Sequence, residues 1–232
     1  MQSRPSFLSC LSAVILLMHL FADSSRAVTL GFKNDFEDAT TQGWANGSSA
    51  PDPGNINTGG PLGASDNFLR VVSDNSGSGG KLTTFNNSAS WLGNYLLAGV
   101  TSLEMDFKNF GTSALTMRIA FKSGTGGSAT PGYATTIGVV VPADGEWHHV
   151  SFLISASAMT GINSPAAFNT FMTNPGQLRI LHSANPSITG DNITANLGVD
   201  NIVAVPETAS GMLLVCAGGI LLRRRRAAAR RA

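Results

Sequence analysis

Glu104 and Asp106, two carboxylates one residue apart, are the side chains of this 232-residue chain best spaced for acid–base chemistry. They lie in an alternating segment, residues 102–108, and positions i and i+2 of a strand share one face. Retaining hydrolysis of a glycosidic bond needs a nucleophilic carboxylate and a proton-donating carboxyl group about 5 Å away. Asn109 stands where a further acid would be needed, and an amide cannot donate a proton in that way. We therefore predict two solvated residues on an exposed strand face, no catalytic residues and no enzyme activity.

The same segment, Glu104-Met105-Asp106-Phe107-Lys108-Asn109, resembles the Glu-x-Asp-x-x-Glu strand of jelly-roll glycosidases that hydrolyse β-glucans, with Asn109 in the last position. A degenerate glycoside hydrolase therefore stays as a third interpretation. The other polar motifs predict no chemistry. The adjacent His148 and His149 point to opposite faces of a strand and cannot chelate one metal, and no Gly-x-Ser-x-Gly nucleophile motif occurs.

Composition excludes several classes of protein. Charged residues make up 12% of the chain, against about 25% in an average globular protein. Residues 28–205 hold seven basic and twelve acidic residues, a net charge of −5, which argues against a nucleic-acid groove or an anionic-lipid surface. Cys10 and Cys216 lie outside that part of the chain, so neither a disulfide framework nor a zinc cluster holds it together.

The N-terminus has the pattern of a secretory signal. Arg4 precedes an apolar run over residues 7–21, and the small residues Ser25 and Ala27 stand at positions −3 and −1 of a cleavage site. We predict that residues 1–27 are a signal peptide and that Sec translocase and signal peptidase act on it. An uncleaved anchor is the alternative, although a run of about 15 residues is short for about 30 Å of hydrocarbon.

The C-terminus has three parts in a fixed order. Pro206-Glu207-Thr208 comes first, the apolar stretch 209–222 follows, and the chain ends in an arginine-rich cluster. Arginines held on the cytoplasmic side act as a stop-transfer signal, so we predict a short transmembrane helix retained by the cluster that begins with Arg223, Arg224, Arg225 and Arg226. An ordinary C-terminal anchor is the alternative.

This tail, residues 205–232, resembles the PEP-CTERM sorting signal of Gram-negative bacteria, with Thr208 in place of the second proline. The resemblance implies export, transient anchoring in the inner membrane, cleavage near Pro206-Glu207 by an exosortase-like enzyme, and delivery to the cell surface or extracellular matrix. It also implies a host that makes exopolysaccharide.

Period-two alternation dominates residues 28–204 and predicts one all-β domain. Turn-forming Gly, Asn, Ser and Pro clusters separate about nine short strands, which fits an antiparallel β-sandwich or jelly roll flanked by the N-terminal signal helix and the C-terminal transmembrane helix. Segments 102–108 and 115–122 are predicted to pair as a hairpin that carries opposite charges, including Arg118 and Lys122, on one exposed face. The other predicted strands are 29–36, 68–73, 81–85, 135–141, 148–154, 178–182 and 198–205.

Three short passages narrow the fold further: Asp35-Phe36-Glu37-Asp38 with Gly43-Trp44, the segment Pro142–Val150, and the segment Leu197–Ile202. They resemble galactose-binding-like carbohydrate-binding modules, in which the first and last of these strands lie side by side. The resemblance implies a structural calcium ion held by Glu37 and Asp200, with Asp38 as a third ligand or as the cap of a turn.

Aromatic rings that stack on sugars are the candidate glycan contacts: Trp44, Trp91, Tyr95 and Tyr133, each of which could instead belong to the core. The sequence thus predicts an exported envelope or matrix protein, without nucleic-acid partners, whose sandwich binds glycan or exopolysaccharide. A structural or adhesive surface protein with no small ligand is the alternative.

Overall fold

The computed structural model describes residues 27–47 and 51–206, and within those ranges the chain is almost entirely strands and loops. Helix is limited there to single turns at Gly77–Gly79, Ala89–Trp91, Tyr95–Ala98 and Phe168–Phe171. The strands are β1 (Lys33–Asn34), β2 (Trp44–Ala45), β3 (Gly54–Ile56), β4 (Phe68–Asp74), β5 (Thr83–Asn86), β6 (Ser102–Asn109), β7 (Leu115–Lys122), β8 (Gly132–Thr135), β9 (Val139–Val141), β10 (Trp147–Leu153), β11 (Met159–Ile162), β12 (Gln177–His182) and β13 (Thr194–Val205).

Two antiparallel sheets pack face to face, which confirms the predicted jelly-roll sandwich. Sheet A has the order β10-β6-β13-β4-β3, and β1 also pairs with β13. Sheet B has the order β11-β8-β7-β12-β5-β2, and β9 also pairs with β7. The first and last strands are neighbours, since Lys33 lies opposite Val203. The prediction missed β2, β3 and β11, which are four residues long or shorter and show little alternation.

The hairpin predicted for β6 and β7 is wrong, because the two strands belong to different sheets. Each strand has one apolar face, represented by Phe107 on β6 and Ile119 on β7, and both side chains are fully buried. The chain between the strands crosses from one sheet to the other, so these faces meet across the core. A flat hairpin would have left both faces on one side of a single sheet.

The last strand, β13, changes partner halfway along, and a bulge marks the change. Its first half pairs with β4, whereas Ile202 and Val203 pair with β1. The register shifts at Asp200, and the next residue, Asn201, has φ +51°. The extra residue moves the core-facing positions from odd numbers, such as Val199, to even numbers, such as Ile202.

Asn34 on β1 links the two sheets through its side chain. Its Oδ1 accepts a hydrogen bond from Trp44 Nε1 at 2.9 Å and another from Trp91 Nε1 at 2.6 Å. Trp44 belongs to β2 of sheet B, so one carboxamide joins β1 to the opposite sheet and to the turn that ends at Trp91. All three side chains are buried.

No helix within residues 27–47 and 51–206 has the length and apolar character needed to cross a bilayer. The predicted signal peptide, most of the sorting motif, the apolar stretch 209–222 and the arginine cluster lie outside the described residues.

We predict that Asn34→Leu lowers the free energy of unfolding by roughly 2–5 kcal/mol, because two buried indole N–H groups lose their acceptor. Denaturant unfolding followed by tryptophan fluorescence measures the change. Asn87→Leu, at an exposed position, is the control and should shift stability by less than about 0.5 kcal/mol. An Asn34→Leu protein as stable as this control would show that the bridge contributes little.

Candidate functional site

Three of the four aromatic residues predicted to contact glycan are core residues. Trp44 is 2% exposed, and Trp91 and Tyr95 are fully buried. The two indoles bond Asn34, and the Tyr95 hydroxyl donates to the Trp91 carbonyl at 2.7 Å. Burial raises the pKa of Tyr95, which keeps it neutral. The prediction is wrong for these residues, since a ring enclosed by the core has no face to offer a sugar.

Tyr133 is half-buried and also serves packing. Its ring meets Phe168 and Phe171 edge to face, with centroids 5.3 and 5.2 Å away. Its hydroxyl donates to the Ala166 carbonyl at 2.9 Å. Both the ring and the hydroxyl therefore have protein partners, and Tyr133 holds the segment before β12 against β8.

A cluster of aromatic rings that the sequence did not predict lies on the outer face of sheet A. Phe68 stacks on Phe110, with centroids 5.8 Å apart, and meets Trp147 edge to face at 5.4 Å. The rings pack directly on the backbone of Gly198. A Cβ at this position would lie only 2.8 Å from the Trp147 ring and 3.1 Å from the Phe110 ring, so the close approach requires glycine. Phe110 is 40% exposed and Trp147 is half-buried, so the cluster reaches solvent.

Charged and amide side chains border these rings. Lys108 Nζ lies 5.3 Å from the centre of the Phe110 ring. On the neighbouring strands, Arg70 Nε donates to Asn196 Oδ1 at 2.9 Å, and Arg70 is exposed. The register places Gly198 opposite both Lys108 and Arg70, so the aromatic and polar groups form one continuous surface.

Asp106 continues this surface as part of a hydrogen-bonded group. Its Oδ1 is 2.9 Å from His149 Nδ1, and its Oδ2 accepts from Asn201 Nδ2 at 2.7 Å. Glu104 Oε2 lies 3.6 Å from His149 Nε2. The expectation of two freely solvated carboxylates is thus wrong for Asp106, whose side chain is 14% exposed.

Asn109 has a structural role that explains why the glycosidase motif ends there. It is 1% exposed and lies at the end of β6. Its Oδ1 accepts from Gly111 N, and its Nδ2 donates to the Ser113 carbonyl, each at 2.9 Å. The side chain stabilises the corner between β6 and β7 and does not join Glu104 and Asp106, which lie on the outer face.

The outer face of sheet B differs because loops cover it. Arg118 and Lys122 point away from the core as predicted, yet they are only 4% and 1% exposed. Arg118 donates to four backbone carbonyls, at residues 135, 136, 183 and 184. Lys122 donates to the carbonyls of Gly126 and Gly127. Burial and the nearby Arg179 lower the pKa of Lys122 to about 8. These cations fix loops, so the expected exposed charged face is wrong.

The residues proposed as calcium ligands are not gathered into one cluster. Among the described residues, no three or more His, Cys, Asp or Glu side chains are grouped so as to hold a metal ion. Asp38 Oδ1 accepts from both the backbone N and the hydroxyl of Thr40 at 2.9 Å, so it caps a turn. Glu37 Oε1 accepts from Asn67 N at 2.8 Å and lines a groove with Asp66 and Asn201.

Asp200 carries the feature that best fits a cation. It is fully buried at the β13 bulge; its Oδ1 accepts from Asn201 N at 2.7 Å, and its Oδ2 has no hydrogen-bond partner among the described residues. Burial raises the pKa of Asp200 to about 7; Asp66 and Asp106 add to the rise, and Lys33 opposes it. A buried carboxylate oxygen without a donor is one that a hard cation such as Ca²⁺ can ligate.

One sequence signal could have located the aromatic surface. Trp147 lies opposite Lys108 in the register, and this face of β6 is the polar one. An aromatic residue that shares a face with charged residues is more exposed than one that alternates with Leu or Ile. Alternation within β10 supplies that signal, because Trp147 shares a face with His149 and Ser151, whereas Val150 and Phe152 face the core.

Comparison with known proteins supports the fold and goes no further. No protein-family model matches the chain, and no curated protein matches it significantly.

An exo-β-agarase structure superposes with a TM-score of 0.51 at 11% identity over 78% of this chain, although the match spans only 26% of that enzyme. A family 11 carbohydrate-binding module from Clostridium thermocellum, in complex with a β-1,3-1,4-mixed-linked tetrasaccharide, matches at TM-score 0.47 and 14% identity over 78% of this chain and 97% of its own. The CBM22-1 xylan-binding domain of Paenibacillus barcinonensis Xyn10C matches with a TM-score of 0.47 at 13% identity, over 78% of this chain and 100% of that domain. Carbohydrate-binding modules are thus among the solved structures to which this chain is similar.

We predict that Asp200→Asn stabilises the protein in EDTA above pH 7 and leaves stability almost unchanged near pH 4. Because the pKa of Asp200 is raised on folding, the folded state holds its proton longer, so wild-type stability is lost as pH rises from about 4 to about 7. The difference should reach on the order of 4 kcal/mol above pH 7.

Melting curves of both proteins between pH 4 and 8 measure this difference, with Asp52→Asn at an exposed position as the control. A constant gap between Asp200→Asn and wild type across that range would contradict the raised pKa.

Proposed function

We propose that this domain binds a glycan chain across the outer face of sheet A. The observation that carries the proposal is the aromatic cluster of Phe68, Phe110 and Trp147, which reaches solvent over Gly198. Sugar rings present C–H groups on one face and hydroxyls around their edge, so they bind where an aromatic ring lies beside hydrogen-bonding side chains.

The neighbouring polar groups supply the second half of such a site. Arg70 and Lys108 are donors on either side of the rings, and Asn196 offers both a donor and an acceptor. Sites of this kind combine apolar lining with a few placed polar groups. On sheet B, loops bonded to Arg118 and Lys122 cover the outer face of β7, and Phe85 beside Arg179 is a single ring without an aromatic partner among the described residues.

We further propose that the protein is exported, anchored transiently by its C-terminal apolar stretch, and then sorted to the cell surface or extracellular matrix. The motif order in residues 205–232 and the signal pattern in residues 1–27 support this proposal. Sec translocase, signal peptidase and an exosortase-like enzyme would be its processing partners, and exopolysaccharide its ligand. The protein acts by binding and not by catalysis.

A purely adhesive or structural surface protein is the second candidate. The observation that favours it is the modest openness of the aromatic cluster, in which Phe68 is only 4% exposed. Under this alternative, the cluster closes the end of the sheet and no polysaccharide binds it.

We also propose that Asp200 holds a structural calcium ion at the β13 bulge, with Glu37 as a further ligand. The unpartnered Oδ2 of Asp200 supports this site, and Glu37 lines a groove that Asn201, the next residue after Asp200, also lines. Asp38 is left out, because Thr40 already occupies its carboxylate.

We predict that Trp147→Ala weakens glycan binding by roughly tenfold or more, equivalent to about 1.4 kcal/mol, without unfolding the domain. Affinity gel electrophoresis measures the effect, with mixed-linkage β-glucan, xylan, agarose and alginate as probes. Phe85→Ala is the matched control, because Phe85 also lies beside a cation, Arg179, but on sheet B. If the wild-type protein binds none of these polysaccharides, or if the Trp147 and Phe85 variants bind alike, the proposal is wrong.

We predict that calcium raises the melting temperature of the wild-type protein and has little effect on Asp200→Asn, because a ligand that binds only the folded state stabilises it. At a hundredfold excess over the dissociation constant the gain is about 2.7 kcal/mol. Equal melting curves in calcium and in EDTA for the wild type would exclude the site.

We predict that the mature chain begins near Val28, which is 1% exposed and whose N donates to the Leu92 carbonyl. Replacement of the six terminal arginines by Gln should lower the membrane-retained fraction, because the stop-transfer charge is removed. N-terminal sequencing and membrane fractionation from the host provide the readouts. A mature protein that starts at Met1, or unchanged retention, would argue against export and sorting respectively.

A further inference from the structure

The described chain begins and ends at the same end of the sandwich. Gly31 N donates to the Ala204 carbonyl at 2.8 Å, and Thr101 N donates to the Val205 carbonyl at 3.1 Å. The helical turn Tyr95–Ala98 comes just before Thr101. We call this end, formed by residues 27–32, 87–103, 172–176 and 202–206, the exit end.

The exit end presents apolar side chains to solvent. Leu97 is 86% exposed, Leu30 is 47% and Leu96 is 45%. Leu30 and Leu97 line a groove of about 430 Å³, with Val28, Asn94 and Asn174 in its wall. Isolated exposed leucines are ordinary, but two that line one groove, with Leu96 next to one of them in the chain, form a patch of the kind that marks an interaction surface.

The four segments that form this end carry no charged side chain, although Lys33, Glu104 and Lys122 flank them. Residues 27–32, 87–103, 172–176 and 202–206 contain no Asp, Glu, Lys or Arg. At the opposite end, Asp74, Lys108, Asp144 and Glu146 lie on or beside the strand ends. Burying the side chains of these segments in a poorly polar environment would therefore require no charged side chain among them to lose its water.

The sequence that follows limits how far this end can move from a membrane. The apolar stretch 209–222 begins three residues after Pro206, and three extended residues reach about 11 Å at most. Its fourteen residues would rise about 21 Å as a helix, less than the roughly 30 Å of hydrocarbon in a bilayer. A segment that is too short thins the bilayer or draws its flanking residues towards the interface.

We propose that the exit end rests in the lipid–water interface while residues 209–222 are inserted, with Leu30, Leu96 and Leu97 among the lipid headgroups. The proposal rests on the membrane insertion of the tail proposed above. It gives the anchored protein a fixed orientation, because the aromatic cluster around Trp147 lies towards the opposite end of sheet A, where β13 begins at Thr194. The glycan surface would then lie on the side of the sandwich, towards the end that is distant from the membrane.

The test uses the full chain, with Cys10→Ser and Cys216→Ser, reconstituted in phosphatidylcholine vesicles that contain nitroxide-labelled lipid. An environment-sensitive fluorophore is attached at Leu97→Cys or at Leu62→Cys. The two leucines are matched controls, since each is 86% exposed, but Leu62 lies beside Asp66 on the acidic groove. We expect a blue-shifted emission at position 97 and lipid quenching roughly twofold or more above that at position 62.

A third sample, labelled at the native Cys216, separates this proposal from the insertion of the tail. Quenching at Cys216 with equal, weak quenching at positions 97 and 62 would show that the tail inserts and the exit end stays in water, which overturns the docking proposal alone. Absence of quenching at both Cys216 and position 97 would overturn tail insertion and docking together. Quenching at position 97 without Cys216 would show that the exit end binds lipid by itself, which supports docking and rejects insertion.

Discussion

The sandwich depends on one buried carboxamide. The Asn34 oxygen accepts from two indole N–H groups, so β1 of sheet A is bonded to β2 of sheet B and to the turn at Trp91. β1 is only two residues long, and its backbone pairing with β13 is extended by the bonds of Gly31 and Phe32 to Ala204. Because unpaired buried indole N–H groups would be costly, the two tryptophans and the first strand also fix one another. The place of β1 beside β13 in turn sets the surroundings of Asp200.

The two outer faces have taken different roles through their charged residues. On sheet B, Arg118 and Lys122 donate to the carbonyls of covering loops, and the outer face of β7 is closed. On sheet A, Lys108 and Arg70 lie beside aromatic rings on a surface that reaches solvent. A cation bonded to backbone carbonyls organises its own protein, whereas a cation beside an open ring keeps donors for a ligand. This difference directs the functional proposal to sheet A.

Charged residues are also distributed unevenly between the two ends of the sandwich. Charged residues occur near the ends where β4 finishes and β10 begins, and the exit end has none within its defined segments. A short tether to an apolar stretch leaves that uncharged end no other position than near the bilayer while the stretch is inserted. The segments without charged side chains are therefore those for which the proposed contact with lipid would make charge unfavourable.

The sequence alone determined the fold class and the approximate position of most strands, because alternation and turn residues are local signals that act within a few residues. The neighbouring placement of β1 and β13 was implied by the resemblance to galactose-binding-like modules. The sequence also determined the three-part order of the tail. Tertiary structure decided which face each aromatic residue occupies: Trp44, Trp91 and Tyr95 are core, and Trp147 is near the surface. It also decided that β6 and β7 belong to different sheets, that the β13 bulge buries Asp200, and that loops cover Arg118 and Lys122. These outcomes depend on which strands pair across long stretches of chain, and period-two alternation is the same whichever partner a strand finds.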